Sequence, residues 1–207
     1  MTMNRAIAAA LWLGLSVLTA SPVLAGEAGD AVFAERGPWS LEGRDLNWTL
    51  HVEGPESPGF LRIDKGSVTL REGTDPSDRQ PILQLVQKTD TRTRQIGPFP
   101  VSGGDPVLTF FLEQTARDMA RLTGGSPFYI RNRIKDALFG GGRITREGEQ
   151  SVASFQPFDG DPNAARMGGF DSLTLTFVLG DPRQPIRELR AETQGDQPGY
   201  LNRMALQ

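Results

Sequence analysis

The 207-residue chain contains no cysteine and a single histidine, His51. Without thiols it can hold no disulfide framework, thiolate zinc site or iron–sulfur cluster, and it has no cysteine nucleophile. One imidazole also rules out a metal site built on several histidines. Neither sign of charge dominates: 22 Lys and Arg stand against 25 Asp and Glu, a net of −3, and the pI is near 5.3. That balance supplies no field to draw a nucleic-acid backbone, so no nucleic-acid partner is expected. The chain is 38% hydrophobic, which suits one globular domain and is too apolar for a disordered one. No phosphate-binding P-loop occurs, and no cofactor is expected.

Residues 1–25 read as a cleaved secretory signal. Arg5 is the charged start, an apolar run follows to about Leu18, and Val23-Leu24-Ala25 supplies the small-x-small pattern before cleavage after Ala25. The apolar run is shorter than the roughly 20 residues of a membrane-spanning helix, and Ser21-Pro22 interrupts it. No cysteine stands at the cleavage point to be acylated, and no later segment is long and apolar enough to span a bilayer. Residues 26–207 are then expected as a single α+β domain of 182 residues, with a net charge of −4 once Arg5 is gone. A domain of that size buries about 70% of the surface its unfolded chain exposes, so it needs no disulfide staples. Arginine outnumbers lysine 19 to 3, which points to a bacterium with a GC-rich genome.

Along this domain, residues 26–38 show no period and are expected to be loosely held. Residues 46–53 alternate strictly, with Leu46, Trp48, Leu50 and Val52 on one face and Asn47, Thr49, His51 and Glu53 on the other: a half-buried strand. Residues 60–64 and 67–71 read as two strands joined by a hairpin turn at Asp64-Lys65-Gly66, and 82–88 as a fourth. The period then changes. Asp105 caps a helix with Pro106 at its first position, and Leu108, Phe111, Leu112, Thr115, Met119 and Leu122 form one stripe. Gly124-Gly125 ends that helix. Ser126-Pro127 caps and starts a second, with Ile130, Ile134, Ala137 and Leu138 as its stripe and Gly140-Gly141-Gly142 as its close. Strands return at 151–155, 173–179, 186–193 and 200–206, separated by turns that include Gln197-Pro198-Gly199.

Short connections make neighbouring strands antiparallel. The expected fold is α+β: a curved antiparallel sheet of about eight strands packed around a central helical hairpin. In outline this resembles periplasmic lipid or lipoprotein carriers, in which an open barrel folds round helices, though no motif is shared.

His51 is the natural suspect for acid–base chemistry, because only its ordinary pKa lies near neutrality; as an exposed strand residue it would do nothing of the kind. No Gly-x-Ser-x-Gly elbow accompanies it. Asp159, Asp161 and Asn163 alternate like the opening of a calcium loop, but Ala164 and Phe170 stand where such a loop needs glycine and glutamate, so a plain surface turn is expected. Thr123-Gly124-Gly125-Ser126 precedes a helix N-terminus, where free N–H groups can hold an anion, with Arg121 and Arg131 near in sequence. Helix termination and capping account for the same residues. Arg131 and Lys135 flank one side of the second helix's stripe and Arg133 the other, with heads expected in water; together with Arg143 and Arg146 they leave contact with anionic lipid headgroups open. Phe111, Met119, Phe128, Tyr129 and Phe139 are expected in the core, with a ligand pocket as the alternative. Phe110 lies opposite the first helix's stripe, so it is either covered on a second side or faces a ligand. The acidic pairs Glu147 with Glu149 and Asp159 with Asp161 are ordinary exposed pairs in sequence.

The ligand-binding candidates are therefore Phe110, Arg121, Ser126 and Arg131, with no catalytic or metal residue expected. The expected function is that of a periplasmic or secreted, non-catalytic binding or accessory protein: a carrier of a hydrophobic or anionic small ligand, or an assembly factor for an envelope protein complex. The alternative is an exported hydrolase using His51 or surface carboxylates.

Overall fold

A computed structural model of the chain describes residues 26–195 and 199–207, apart from the side chain of Glu147. The expected signal segment, 1–25, and the turn residues Gln197 and Pro198 lie outside the described residues. In chain order the elements are α1 (Glu27–Val32), β1 (Leu46–Glu53), β2 (Ile63–Thr74), β3 (Pro81–Lys88), β4 (Thr93–Pro100), α2 (Pro106–Thr123), α3 (Pro127–Gly140), β5 (Arg143–Glu147), β6 (Gln150–Phe155), β7 (Thr174–Leu179), β8 (Glu188–Glu192) and β9 (Leu201–Leu206). Two short 3₁₀ turns lie between β6 and β7.

The nine strands form one open antiparallel sheet in the order β4-β3-β2-β1-β9-β8-β7-β6-β5. Two meanders therefore meet at its centre, where β1 pairs with β9 from Trp48 opposite Leu206 to Glu53 opposite Leu201. The α2–α3 hairpin carries the chain from one edge, β4, to the other, β5. Helix α2 touches β2 and β3 on one side of the centre and β8 on the other, so it lies in the hollow of the sheet. The expected sheet around a helical hairpin is what the chain forms.

The strand count differs for local reasons. Residues 63–74 are one long strand, and Gly66 is no hairpin turn. Between Leu50 opposite Gly66 and Val52 opposite Ile63 the register slips by one residue, a bulge in β2. Glycine is required there because a Cβ would stand 2.6 Å from Ile63 Cγ2 and 3.1 Å from the carbonyl oxygens of Leu50 and Lys88. Strands β4 and β5 were not foreseen. Both are edges, and β4 contains Pro98 and Pro100, which a strand tolerates only where it has no neighbour on one side.

Residues 26–38 are also better held than their lack of period suggests. Ala28 and Val32 of α1 are buried against the core. The Arg36 guanidinium closes the helix by donating to the carbonyls of Val32 (2.8 Å), Ala34 (3.0 Å) and Ala31 (3.3 Å). It stands 3.8 Å from Asp105, whose carboxylate caps α2 by accepting from the N–H groups of Val107 and Leu108 at 2.9 and 3.0 Å. Burial pushes the Arg36 pKa down and the Asp105 pKa up, and their mutual attraction works against both shifts.

Candidate functional site

The turn between α2 and α3 is built by Gly124, which ends α2 in the left-handed region at φ 67°, and by Pro127 at the first position of α3. Ser126 occupies the N-cap position but its side chain makes no capping bond, so the expected serine cap is absent. An open groove of about 390 Å³ lies here, lined by Thr123–Ser126 on one wall and by Asn163, Arg166 and Met167 on the other. Its base is held by a polar network. Tyr129 donates its hydroxyl hydrogen to Asp161, with oxygens 2.7 and 2.8 Å away. Asn163 donates its backbone N–H to Asp161 at 2.7 Å and its side-chain amide to the Tyr129 oxygen at 3.0 Å. Arg133 pairs with Asp161 at 2.8 Å. Burial raises the Asp161 pKa, but the bonds from Asn163, Tyr129 and Arg133 outweigh it and leave the carboxyl below its ordinary value.

The cations expected near this groove do not converge on it. Arg121 turns back to the buried Asp118 at 3.2 Å. Arg131 forms a bidentate pair with Glu113 of α2, at 2.9 and 3.0 Å, which raises the Arg131 pKa and, with Arg117, lowers that of Glu113. Arg133, expected with its head in water, is half-buried against Asp161. The cation that does line the groove is Arg166, which sequence reasoning passed over because it sits in the irregular stretch between β6 and β7.

Phe110 is buried. It is covered on its second side by β4, whose Ile96 and Phe99 share with it a shallow groove of about 230 Å³. A second buried polar cluster lies where α2 meets the sheet centre. Asp118 accepts from Gln114 (2.8 and 3.0 Å), Arg121 (3.2 Å) and the Tyr200 hydroxyl (3.2 Å). Asn202 of β9 donates to Thr115 at 3.3 Å. Desolvation raises the Asp118 carboxyl, with the four bonds pulling against it, and pushes the Tyr200 phenol well above its usual value.

His51 lies on the outer face of β1. Its Nε2 stands 2.6 Å from Glu53 Oε1 and its Nδ1 3.3 Å from the carbonyl of Asp64. Both ring nitrogens therefore face acceptors, and the bond to Glu53 raises the pKa. Among the described residues no hydroxyl bonds to either nitrogen. Asp159, Asp161 and Asp171 line one pocket of about 250 Å³, yet Asp161 is already committed to Tyr129, Asn163 and Arg133. Among the described residues no group of three or more His, Cys, Asp or Glu is placed to hold a metal ion.

The outer face of α3 differs from expectation most. Phe128 is 68% and Phe139 61% exposed, although both were expected in the core. The buried stripe is Ile130, Ile134 and Leu138, and at about 100° per residue the two phenylalanines lie within about 20° of each other on the other side of the helix. The eleven-residue spacing carries that signal in the sequence. Phe33, just past α1, stacks on Phe139 with ring centroids 4.8 Å apart and planes 2° from parallel. Comparison of the sequence with protein-family models and with curated proteins finds no match.

Proposed function

We propose that the protein is exported to the bacterial envelope, as residues 1–25 suggest, and serves there as a non-catalytic binding or accessory protein that acts through the surface of its helical hairpin. One contrast carries this reading: the hollow of the sheet is filled, while α3 turns large apolar rings to solvent. Trp48, Leu50, Phe111, Met119, Phe155 and Phe177 are each less than 2% exposed and occupy the space a carrier would keep for its cargo. Phe128 and Phe139 are not needed to hold α3, because Ile130, Ile134 and Leu138 do that from the opposite side.

Native mass spectrometry of protein purified gently from its host tests this. A lipid or an envelope protein that accompanies the wild type and is lost from Phe128→Ala/Phe139→Ala supports it. A ligand that the double variant retains in full overturns it, as does a hydrolytic activity abolished by His51→Ala.

A further inference from the structure

Resting on that reading of the hairpin, we infer that the partner of the α3 face is an anionic lipid surface. Phe128, Lys135 and Phe139 fall in one band along the helix, within about 40° of one another, with the positions of the two phenylalanines about 16 Å apart along the axis. Phe33, 39% exposed, doubles the apolar end through its stack on Phe139. The face is thus two aromatic points with a cation between them. A plane suits it: the rings enter the acyl boundary while the Lys135 ammonium stays level with the phosphates.

Charge complementarity favours an anionic plane. Residues 106–146 carry seven Lys and Arg against three Asp and Glu, a net of +4 in a chain whose total is −3. Glu113 is paired with Arg117 and Arg131, and Asp118 with Arg121, while Asp161 and Glu27 from outside the segment pair with Arg133 and Arg146 and leave it about +2. Among the described residues Lys135 and Arg143 have no ion-pair partner. Opposing charges are few: Asp136 sits about 100° round the helix from Lys135, and Asp30 and Glu35 are exposed near Phe33 in sequence. Arg166 adds a cation across the turn at the Phe128 end, and Arg143 adds one just past the Phe139 end.

Flotation of the purified protein with vesicles of phosphatidylcholine, with and without phosphatidylglycerol, tests the inference. The wild type is expected to float with the anionic vesicles and to be released by salt. Phe128→Ala/Phe139→Ala is expected to lower the partition coefficient at least about tenfold with an unchanged melting temperature, since both rings are exposed. Lys135→Glu is expected to weaken binding to the anionic vesicles alone. No flotation with anionic vesicles, equal flotation with neutral ones, or full binding by the double variant overturns it. If the wild type ignores vesicles but the double variant still loses an envelope protein, the lipid inference falls and the hairpin reading stands. If the double variant matches the wild type in both assays, both fall.

Discussion

The Tyr200 hydroxyl, on the approach to β9, donates to Asp118 Oδ2 of α2 at 3.2 Å, across 82 residues of sequence. Both groups are fully buried, so this bond ties the central helix to the sheet's last strand where water cannot substitute for either partner. Tyr200→Phe leaves the carboxylate one donor short and is expected to cost about 1–3 kcal/mol, measured by urea denaturation; an unchanged midpoint would show that the bond is idle.

Asp118 also gives stability a pH dependence. Burial raises its folded pKa above the unfolded value, so its contribution is full below an unfolded pKa of about 3.9 and is lost as pH rises through the folded value. Asp118→Asn, which cannot ionise, is expected to gain on the wild type as pH rises through that window. Parallel denaturation series across it check this, and a constant gap would refute it.

For His51 the bond to Glu53 sets the direction. Its pKa is raised, so the pair stabilises the fold fully below about 6.5 and the contribution fades as pH rises through the higher folded value. NMR titration of the imidazole is expected to show a pKa above about 6.5 that falls back in Glu53→Gln. Equal pKa values in the two proteins would mean that Glu53 is not the cause.

Asp161 predicts an outcome for metal. Because Tyr129, Asn163 and Arg133 already hold its carboxylate, calcium followed by a chelator is expected to leave the melting temperature unmoved. Asp161→Ala strands a half-buried Arg133 and is expected to cost about 1–3 kcal/mol. The folded pKa is lowered, so this stability is present above about 3.9 and is lost as pH falls through the folded value. A calcium-dependent rise in melting temperature would contradict the assignment.

Gly29 marks where α1 lies on the end of α3: a Cβ there would collide with the carbonyl oxygen of Leu138. Gly29→Ala is expected to destabilise by about 1–3 kcal/mol, whereas Gly103→Ala, which meets nothing within 4 Å, is expected to stay within about 0.5 kcal/mol. Thermal melts of the two side by side decide it, and equal melts would mean that α1 is free to shift.

The fold was legible wherever a period was long enough to read. The alternation of 46–53 and the stripes of both long helices fall where β1, α2 and α3 stand. Strand β4 was hidden because Gly97, Pro98 and Pro100 are loop residues by composition, and an edge strand is the one place in a sheet that accepts them. Missing β4 also left Phe110 without its cover. At the site, the cations nearest in sequence were already paired, and pairing depends on the α2–α3 packing that brings Glu113 to Arg131. Phe128 and Phe139 were assigned to the core as residue types; their shared side of the helix was in the spacing all along.

Because β1 and β9 are neighbours at the middle of the sheet, the first half of the chain cannot finish its sheet until the last strand arrives. Until β9 arrives, β1 would present an unpaired row of N–H and C=O groups flanked by the apolar side chains of Trp48, Leu50 and Val52. Closure between residues about 150 positions apart makes a high-contact-order fold, slow to complete and exposed to misassociation until it does. Until Leu206 is free to pair with Trp48, that edge of β1 stays open to any other strand.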